Sequence, residues 1–258
     1  MEGRIIDVNG KKLYTEYNNS FKNKPTIVFL HDSLGSTQLW RDFPAKLAEA
    51  TQCNTLVYDR LGYGKSFPML THERENNYME SEADLLNGLL EELNINDVIL
   101  FGHSDGGTIA LITASKYPEK IKAILCEAGH IFVEDVTVKG VKDVLEAYKT
   151  TNLPERLQKY HGDKVETIVK AWTEIWLSDR FRTWNIEYLL KNITSPLLFI
   201  QGEDDEYGTL DQVEKTISQV SGNAEKFIIP NIGHTPHKEK PEVVLERSKE
   251  FITTVLNS

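Results

Sequence analysis

The sequence predicts an α/β fold: a mostly parallel, eight-stranded sheet with helices on both faces. Three observations predict it. Six short runs are continuously apolar, as strands buried on both faces are. Segments with apolar residues at three- and four-residue spacing lie between most of them. Two further strand-like runs open the chain, joined by Asn9-Gly10, the strongest short hairpin signal, so the chain begins antiparallel before the alternation starts.

In order, the hairpin strands are residues 4–8 and 12–17. Pro25 precedes the run at 26–30, and similar runs recur at 55–58, 98–101, 121–126, 196–200 and 226–229. A helix is expected over 37–50, where Leu39, Trp40, Phe43, Leu47 and Ala48 fall at helical spacing. Another is expected over 77–93, carrying Met79, Ala83, Leu86, Leu89, Leu90 and Leu93. Residues 107–114 are apolar nearly all round, so their helix should be central and buried. The last helix begins at Pro241 and carries Val244, Leu245, Phe251, Ile252, Val255 and Leu256 on one face.

One stretch breaks the alternation. From about 131 to 185 no good strand is found, only helical segments with Tyr148, Tyr160, Trp172, Trp176, Phe181 and Trp184. That is too long for a loop. The expected organisation is a core of residues 1–130 and 186–258 with a helical cap, or lid, of 131–185 inserted in it. The cap aromatics are expected both to line a pocket and to form the cap's own core, with most of the tryptophans structural.

Forty per cent apolar residues and four tryptophans in 258 residues allow a substantial core, which excludes disorder. The formal charge of −10 argues against nonspecific binding to nucleic acid or to an anionic membrane. Cys53 and Cys126 sit in apolar runs and read as buried free thiols. No Cys-x-x-Cys or His-Glu-x-x-His spacing suggests a metal. The chain starts without a signal-like apolar stretch, and no run approaches the length of a membrane span, so a cytoplasmic protein is expected.

Chemistry concentrates at residues 102–106, Gly-His-Ser-Asp-Gly. An apolar strand leads in and a helix leads out, the context in which a G-x-S-x-G serine is held on a sharp, strained turn. Gly102 and Gly106 let strand and helix close on each other. Ser104 then needs a base and an orienting acid. His234, after a glycine and following the final strand, is the best base, and His237 is the second choice. The turn after the run at 196–200 carries four carboxylates, Glu203, Asp204, Asp205 and Glu206. Glu127 and Glu134, after an earlier strand, are alternatives. Two donors for an oxyanion are expected: the N–H of Asp105, directly after the nucleophile, and that of Ser33, in the turn after 26–30. The Asp105 carboxylate either serves the helix terminus or pairs with a cationic group on the substrate. His103 is expected to point away from the pocket, below the turn. His130 and Trp176 are candidate substrate contacts.

Together these pieces resemble the α/β-hydrolase fold family across nearly the whole chain. Leu30 to Ser36, Leu-His-Asp-Ser-Leu-Gly-Ser, looks like its oxyanion-loop motif. Tyr58 to Ser66 looks like its Asp-x-x-Gly-x-Gly-x-Ser stretch. Gly202-Glu203-Asp204-Asp205 matches its Gly-x-x-Asp, and Gly233-His234 its histidine. The resemblance implies Asp205 as the triad acid beside Ser104 and His234, and places His31, His72, His103, His130 and His161 wrongly in the chain order. One departure is Asp32, where the family motif has glycine. Within the family, Ser104-Asp105-Gly106-Gly107 and the helical insertion are most similar to the valacyclovir-hydrolase-like and enol-lactonase-like branch. The resemblance implies a cofactor-free serine hydrolase acting on a small-molecule ester or lactone. A C–C bond hydrolase or a cofactor-free peroxidase is the alternative, and a non-catalytic small-ligand receptor is the alternative of another class.

Overall fold

A computed structural model describes residues 3–258. Its eight strands are β1 (Gly3–Val8), β2 (Lys11–Asn18), β3 (Thr26–Leu30), β4 (Asn54–Tyr58), β5 (Val98–His103), β6 (Ile121–Glu127), β7 (Leu197–Gly202) and β8 (Ala224–Ile229). They form one sheet in the order β1-β2-β4-β3-β5-β6-β7-β8. β2 runs antiparallel to both β1 and β4, and the strands from β4 to β8 are parallel neighbours. Asn9 and Gly10 both take positive φ, 52° and 81°, as a two-residue hairpin turn requires.

The helices are α1 (Phe43–Thr51), α2 (Tyr78–Glu92), α3 (Asp105–Lys116), α4 (Asp135–Thr150), α5 (Leu153–His161), α6 (Val165–Trp176), α7 (Glu187–Leu190), α8 (Leu210–Gln219), α9 (Pro236–Glu239) and α10 (Pro241–Asn257). The period-two geometry of the strands explains the two cores they pack against. Ile27, Phe29, Ile99 and Phe101 meet Phe43 and Leu47 of α1 and Val244, Phe251 and Ile252 of α10. The intervening Val28, Leu30, Val98 and Leu100 meet Leu86 and Leu89 of α2 and Ile109 and Ile112 of α3. α3 is buried along nearly its whole length, in keeping with its unbroken apolar pattern.

Two elements differ from their sequence patterns. The helix expected over 37–50 is split into a 3-10 turn, Thr37–Trp40, and α1. Pro44 lies in the first turn of α1, where its missing N–H is harmless, and it could not sit inside a longer helix. Cys53 immediately precedes β4 rather than lying in it. Both cysteines are free and buried. Between β6 and β7 the chain forms α4 to α7. The stretch 131–185 begins and ends side by side: Phe132 bridges Asn185, and the Ile186 N–H donates to the Ile131 carbonyl at 2.8 Å. Among the described residues no helix is long and apolar enough to cross a membrane.

Candidate active site

β5 ends at His103 and α3 begins at Asp105, so Ser104 alone makes the turn, with φ 56° and ψ −121°. That backbone region is costly for a residue with a Cβ and is held by its surroundings. A Cβ on Gly102 would come within 2.1 Å of the Gly106 carbonyl oxygen, and one on Gly106 within 2.0 Å of that of Leu30. The Ser104 N–H donates to the Glu127 carbonyl of β6 at 2.8 Å, and the Ser104 carbonyl accepts from Thr108 N–H at 3.0 Å. The turn is thus tied to the sheet on one side and to the helix on the other.

The turns after β7 and β8 reach the same edge of the sheet. His234 Nε2 lies 3.0 Å from Ser104 Oγ, and His234 Nδ1 lies 2.8 and 3.0 Å from the two Asp205 oxygens. Asp205 Oδ1 also accepts from the N–H groups of Tyr207 and Gly208, at 2.8 and 3.3 Å. Burial opposes ionisation of Asp205, but the charge and hydrogen bond of His234 and the Tyr207 N–H outweigh it and hold the carboxyl below its ordinary range. Glu203 and Asp204 are exposed and stand outside this constellation. The structure therefore brings together Ser104, His234 and Asp205, the set the motifs single out.

His237 and Glu127, the alternatives from sequence, are spent on each other. Glu127 Oε1 accepts the His237 backbone N–H and Oε2 faces His237 Nδ1, both at 2.6 Å, in a site closed to solvent. Burial works against the Glu127 charge, yet the His237 donors and nearby His103 carry the carboxyl below its ordinary range. Its folded pKa is depressed, so its stabilisation is present above the unfolded value and lost as pH falls through the folded one. Glu127→Gln is expected to lower the unfolding free energy at neutral pH by about 1–3 kcal/mol, the cost of leaving buried donors poorly matched. Urea denaturation measures this, and the deficit should shrink as the wild-type carboxyl is protonated in acid.

His103 corrects a sequence expectation. It does not turn away below the serine but reaches the floor of the pocket, where its ring lies 5.1 Å from that of His234. β5 continues two residues past its expected end and includes His103. Its Nε2–H donates to the His234 carbonyl at 2.8 Å, and its Nδ1 lies 3.9 Å from Asp32 Oδ1. Burial disfavours its charge, but Asp32 and Glu127 raise its pKa above the histidine norm. Asp32, where the family motif has glycine, thus has a partner. Its Oδ1 lies over Gly35, where a Cβ would come within 2.1 Å of it.

A cavity of about 210 Å³ opens above Ser104. Ser33, Asp105, His130, Trp176 and His234 all line it, with Trp172, another of the expected cap aromatics, and with Val141 and Tyr207, which the sequence did not single out. Two of the three tryptophans between β6 and β7, Trp172 and Trp176, reach this cavity while also packing in the core. Trp184 packs only inside. His130 Nε2–H donates to the Tyr207 carbonyl at 3.1 Å. The Asp105 carboxylate, on a residue that lines the cavity, also has partners inside the protein. Its Oδ2 lies 3.6 Å from Arg60 Nη1 and accepts from Tyr78 Oη at 3.3 Å, and Tyr78 Oη in turn accepts from Trp176 Nε1 at 3.0 Å. Arg60 lies inside a motif the sequence displayed, but nothing local marks it as the partner of a residue forty-five positions on. Among the described residues, no cluster of three or more His, Cys, Asp or Glu could hold a metal.

The sequence profile of the alpha/beta hydrolase fold matches residues 25–168, more than half of the chain. The chain belongs to the α/β-hydrolase fold family. This hydrolase is 28% identical over 251 residues to a Haemophilus influenzae protein provisionally named an esterase/lipase, covering 89% of this chain and 84% of that one. It is 28% identical over 208 residues to the human serine hydrolase BPHL, covering 78% and 69%. The enol-lactonase of Burkholderia xenovorans LB400 superposes with a TM-score of 0.77 at 19% identity, over 97% of this chain and 100% of that one, which shows the shared fold.

Proposed function

We propose that this protein is a serine hydrolase that cleaves a small-molecule carboxylic ester or lactone through an acyl-enzyme. The observation that carries this reading is the unbroken line from Ser104 Oγ through His234 to Asp205 at 2.8–3.0 Å. The Asp205 carboxylate accepts the Nδ1–H of His234, which leaves Nε2 as the lone-pair nitrogen facing the hydroxyl. His234 takes the proton as Ser104 Oγ bonds to the carbonyl carbon, and Asp205 stabilises the resulting imidazolium. The N–H groups of Ser33 and Asp105 receive the oxyanion. Asp105 is the first residue of α3, where an N–H has no partner within the helix. The tetrahedral species collapses, His234 protonates the leaving alcohol, and a water activated by the same histidine releases the acid. Every group in this cycle is supplied by the chain itself, so it needs no cofactor.

The segment 131–185 acts as the cap. Trp172, Trp176, Thr137 and Val141 bring its helices over the serine. The cavity is smaller than the roughly 300–1,000 Å³ of drug-sized ligand sites, which fits a short acyl group. A turnover screen of p-nitrophenyl esters, lactones, amino-acid esters and vinylogous diketones tests the reading. Ester or lactone turnover supports it, and turnover of the diketones alone would make the protein a C–C bond hydrolase. A fluorophosphonate should label Ser104. Slow single turnover with retained product would instead indicate a ligand receptor.

The internal pairing of Asp105 carries its own expectation. In a matched pair of an α-amino ester and its des-amino analogue, Asp105→Asn should change kcat/KM for both by the same factor, within about twofold. A preference for the amine of tenfold, about 1.4 kcal/mol, that vanishes in Asp105→Asn would show that the carboxylate serves the substrate instead.

A further inference from the structure

We propose that Arg60, which touches neither substrate nor Ser104, is the positioning residue that aims the oxyanion donors. The inference rests on the serine-hydrolase reading and names how its oxyanion pocket is built. Arg60 follows β4 and is wholly buried, with its guanidinium 4.7 Å from the centre of the Tyr63 ring. Its Nη2–H donates to the Asp32 carbonyl at 2.9 Å. A second donor meets the same carbonyl. The Arg60 backbone N–H donates to His31 Nε2 at 3.0 Å, so Nε2 is the acceptor nitrogen and the proton of a neutral ring resides on Nδ1, 2.8 Å from the Asp32 oxygen. Burial and the Arg60 charge hold His31 well below the histidine norm and keep it neutral.

The Gly35 backbone N–H reaches the same oxygen at 3.2 Å, so three donors hold the Asp32 carbonyl, and Arg60 supplies the charged one. The Asp32–Ser33 peptide is trans, as is every described peptide bond. In a planar trans peptide the N–H points opposite to the C=O. The donors that fix the carbonyl thus fix the Ser33 N–H in the reverse direction, and Ser33 lines the cavity beside Ser104. The same guanidinium stands 3.6 Å from the carboxylate of Asp105, the other residue whose N–H serves the pocket. An uncompensated carboxylate there would oppose an oxyanion forming nearby. Arg60 cancels it without entering the cavity.

The test uses three variants. Arg60→Met removes the clamp, Arg60→Met/Asp105→Asn removes it without stranding a buried charge, and Arg60→Lys keeps the charge but not the planar fork. Each is checked for cooperative thermal unfolding. Then kcat and KM are measured on one p-nitrophenyl ester, with the affinity for a trifluoromethyl ketone of the same acyl group, whose adduct carries an oxyanion. Removing one oxyanion donor outright costs roughly a hundred- to a thousandfold. A misaimed donor is expected to lower kcat at least thirtyfold in the Met variants and at least tenfold in Arg60→Lys. KM should change less than threefold, and the ketone should weaken in step with kcat. A residue needed only for folding would lower the unfolding temperature without that split. If the Met variants do not fold, Arg60→Lys decides by the same criteria. A folded variant with kcat and ketone affinity within threefold of wild type overturns the proposal. Wild type that neither turns over esters nor labels at Ser104 overturns the serine-hydrolase reading, and the proposal with it.

Discussion

Ser104→Ala is expected to lower ester hydrolysis by at least three orders of magnitude, the scale on which members of a triad fail as a unit. The hydroxyl is held by a backbone at φ 56°, a conformation kept by the packing of Gly102 and Gly106 against their neighbours. Alanine suits that backbone as well as serine does, so the loss should be chemical rather than conformational. Intact protein mass after fluorophosphonate treatment measures it alongside kcat: wild type should gain one adduct and the variant none. Ser33 and Ser36 are also buried, in the turn after β3. An adduct on either of them, or a variant that retains full turnover, would remove Ser104 from the mechanism.

Asp205→Asn is expected to cost about four orders of magnitude in kcat, the value known for the equivalent change in the serine-protease template. Two effects combine. The substitution removes the charge that stabilises the imidazolium, and its amide presents a donor to His234 Nδ1 where a carboxylate oxygen now lies at 3.0 Å. A donor at Nδ1 favours the tautomer with hydrogen on Nε2, which cannot take the serine proton. Oδ1 remains an acceptor for the Tyr207 and Gly208 N–H groups, so the turn should keep its shape. Asp204→Asn and Glu203→Gln should cost less than tenfold, since both side chains are exposed and face no histidine. Steady-state kinetics of the three variants beside Glu127→Gln decides the assignment. A loss confined to Glu127→Gln would place the acid on β6, with His237 as its partner.

These two carboxylate–histidine pairs show where local reading stops. Glu127 ends β6 and Asp205 lies in the turn after β7, while His234 and His237 lie only three residues apart, His237 in α9. Burial and sequence position suit either pairing. Which carboxylate meets which ring depends on how the β8 loop crosses the sheet edge, a matter of contacts more than a hundred residues apart for Glu127. The same limit explains His103. Its sequence neighbours say that it precedes a sharp turn, but only the position of the His234 loop shows that its ring lies under that loop.

What the sequence by itself determined is therefore the local and periodic part. Continuously apolar runs specified the central strands, because a sheet covered on both faces buries successive side chains alike. Asn9-Gly10 specified the opening hairpin, because both residues tolerate positive φ. Glycines flanking Ser104 specified the sharp turn, because a Cβ at either would strike backbone. Motif order placed Ser104, Asp205 and His234 at one edge, because successive parallel strands deliver their following turns to the same side. Tertiary structure alone decided the pairings: Glu127 with His237, Asp32 with His103, and Arg60 with both the Asp32 carbonyl and the Asp105 carboxylate. The physical reason is common to all three. A buried charge or polar group must find a partner, but any residue of suitable chemistry satisfies that demand, and the choice among them is made by distances that exist only once the chain is folded.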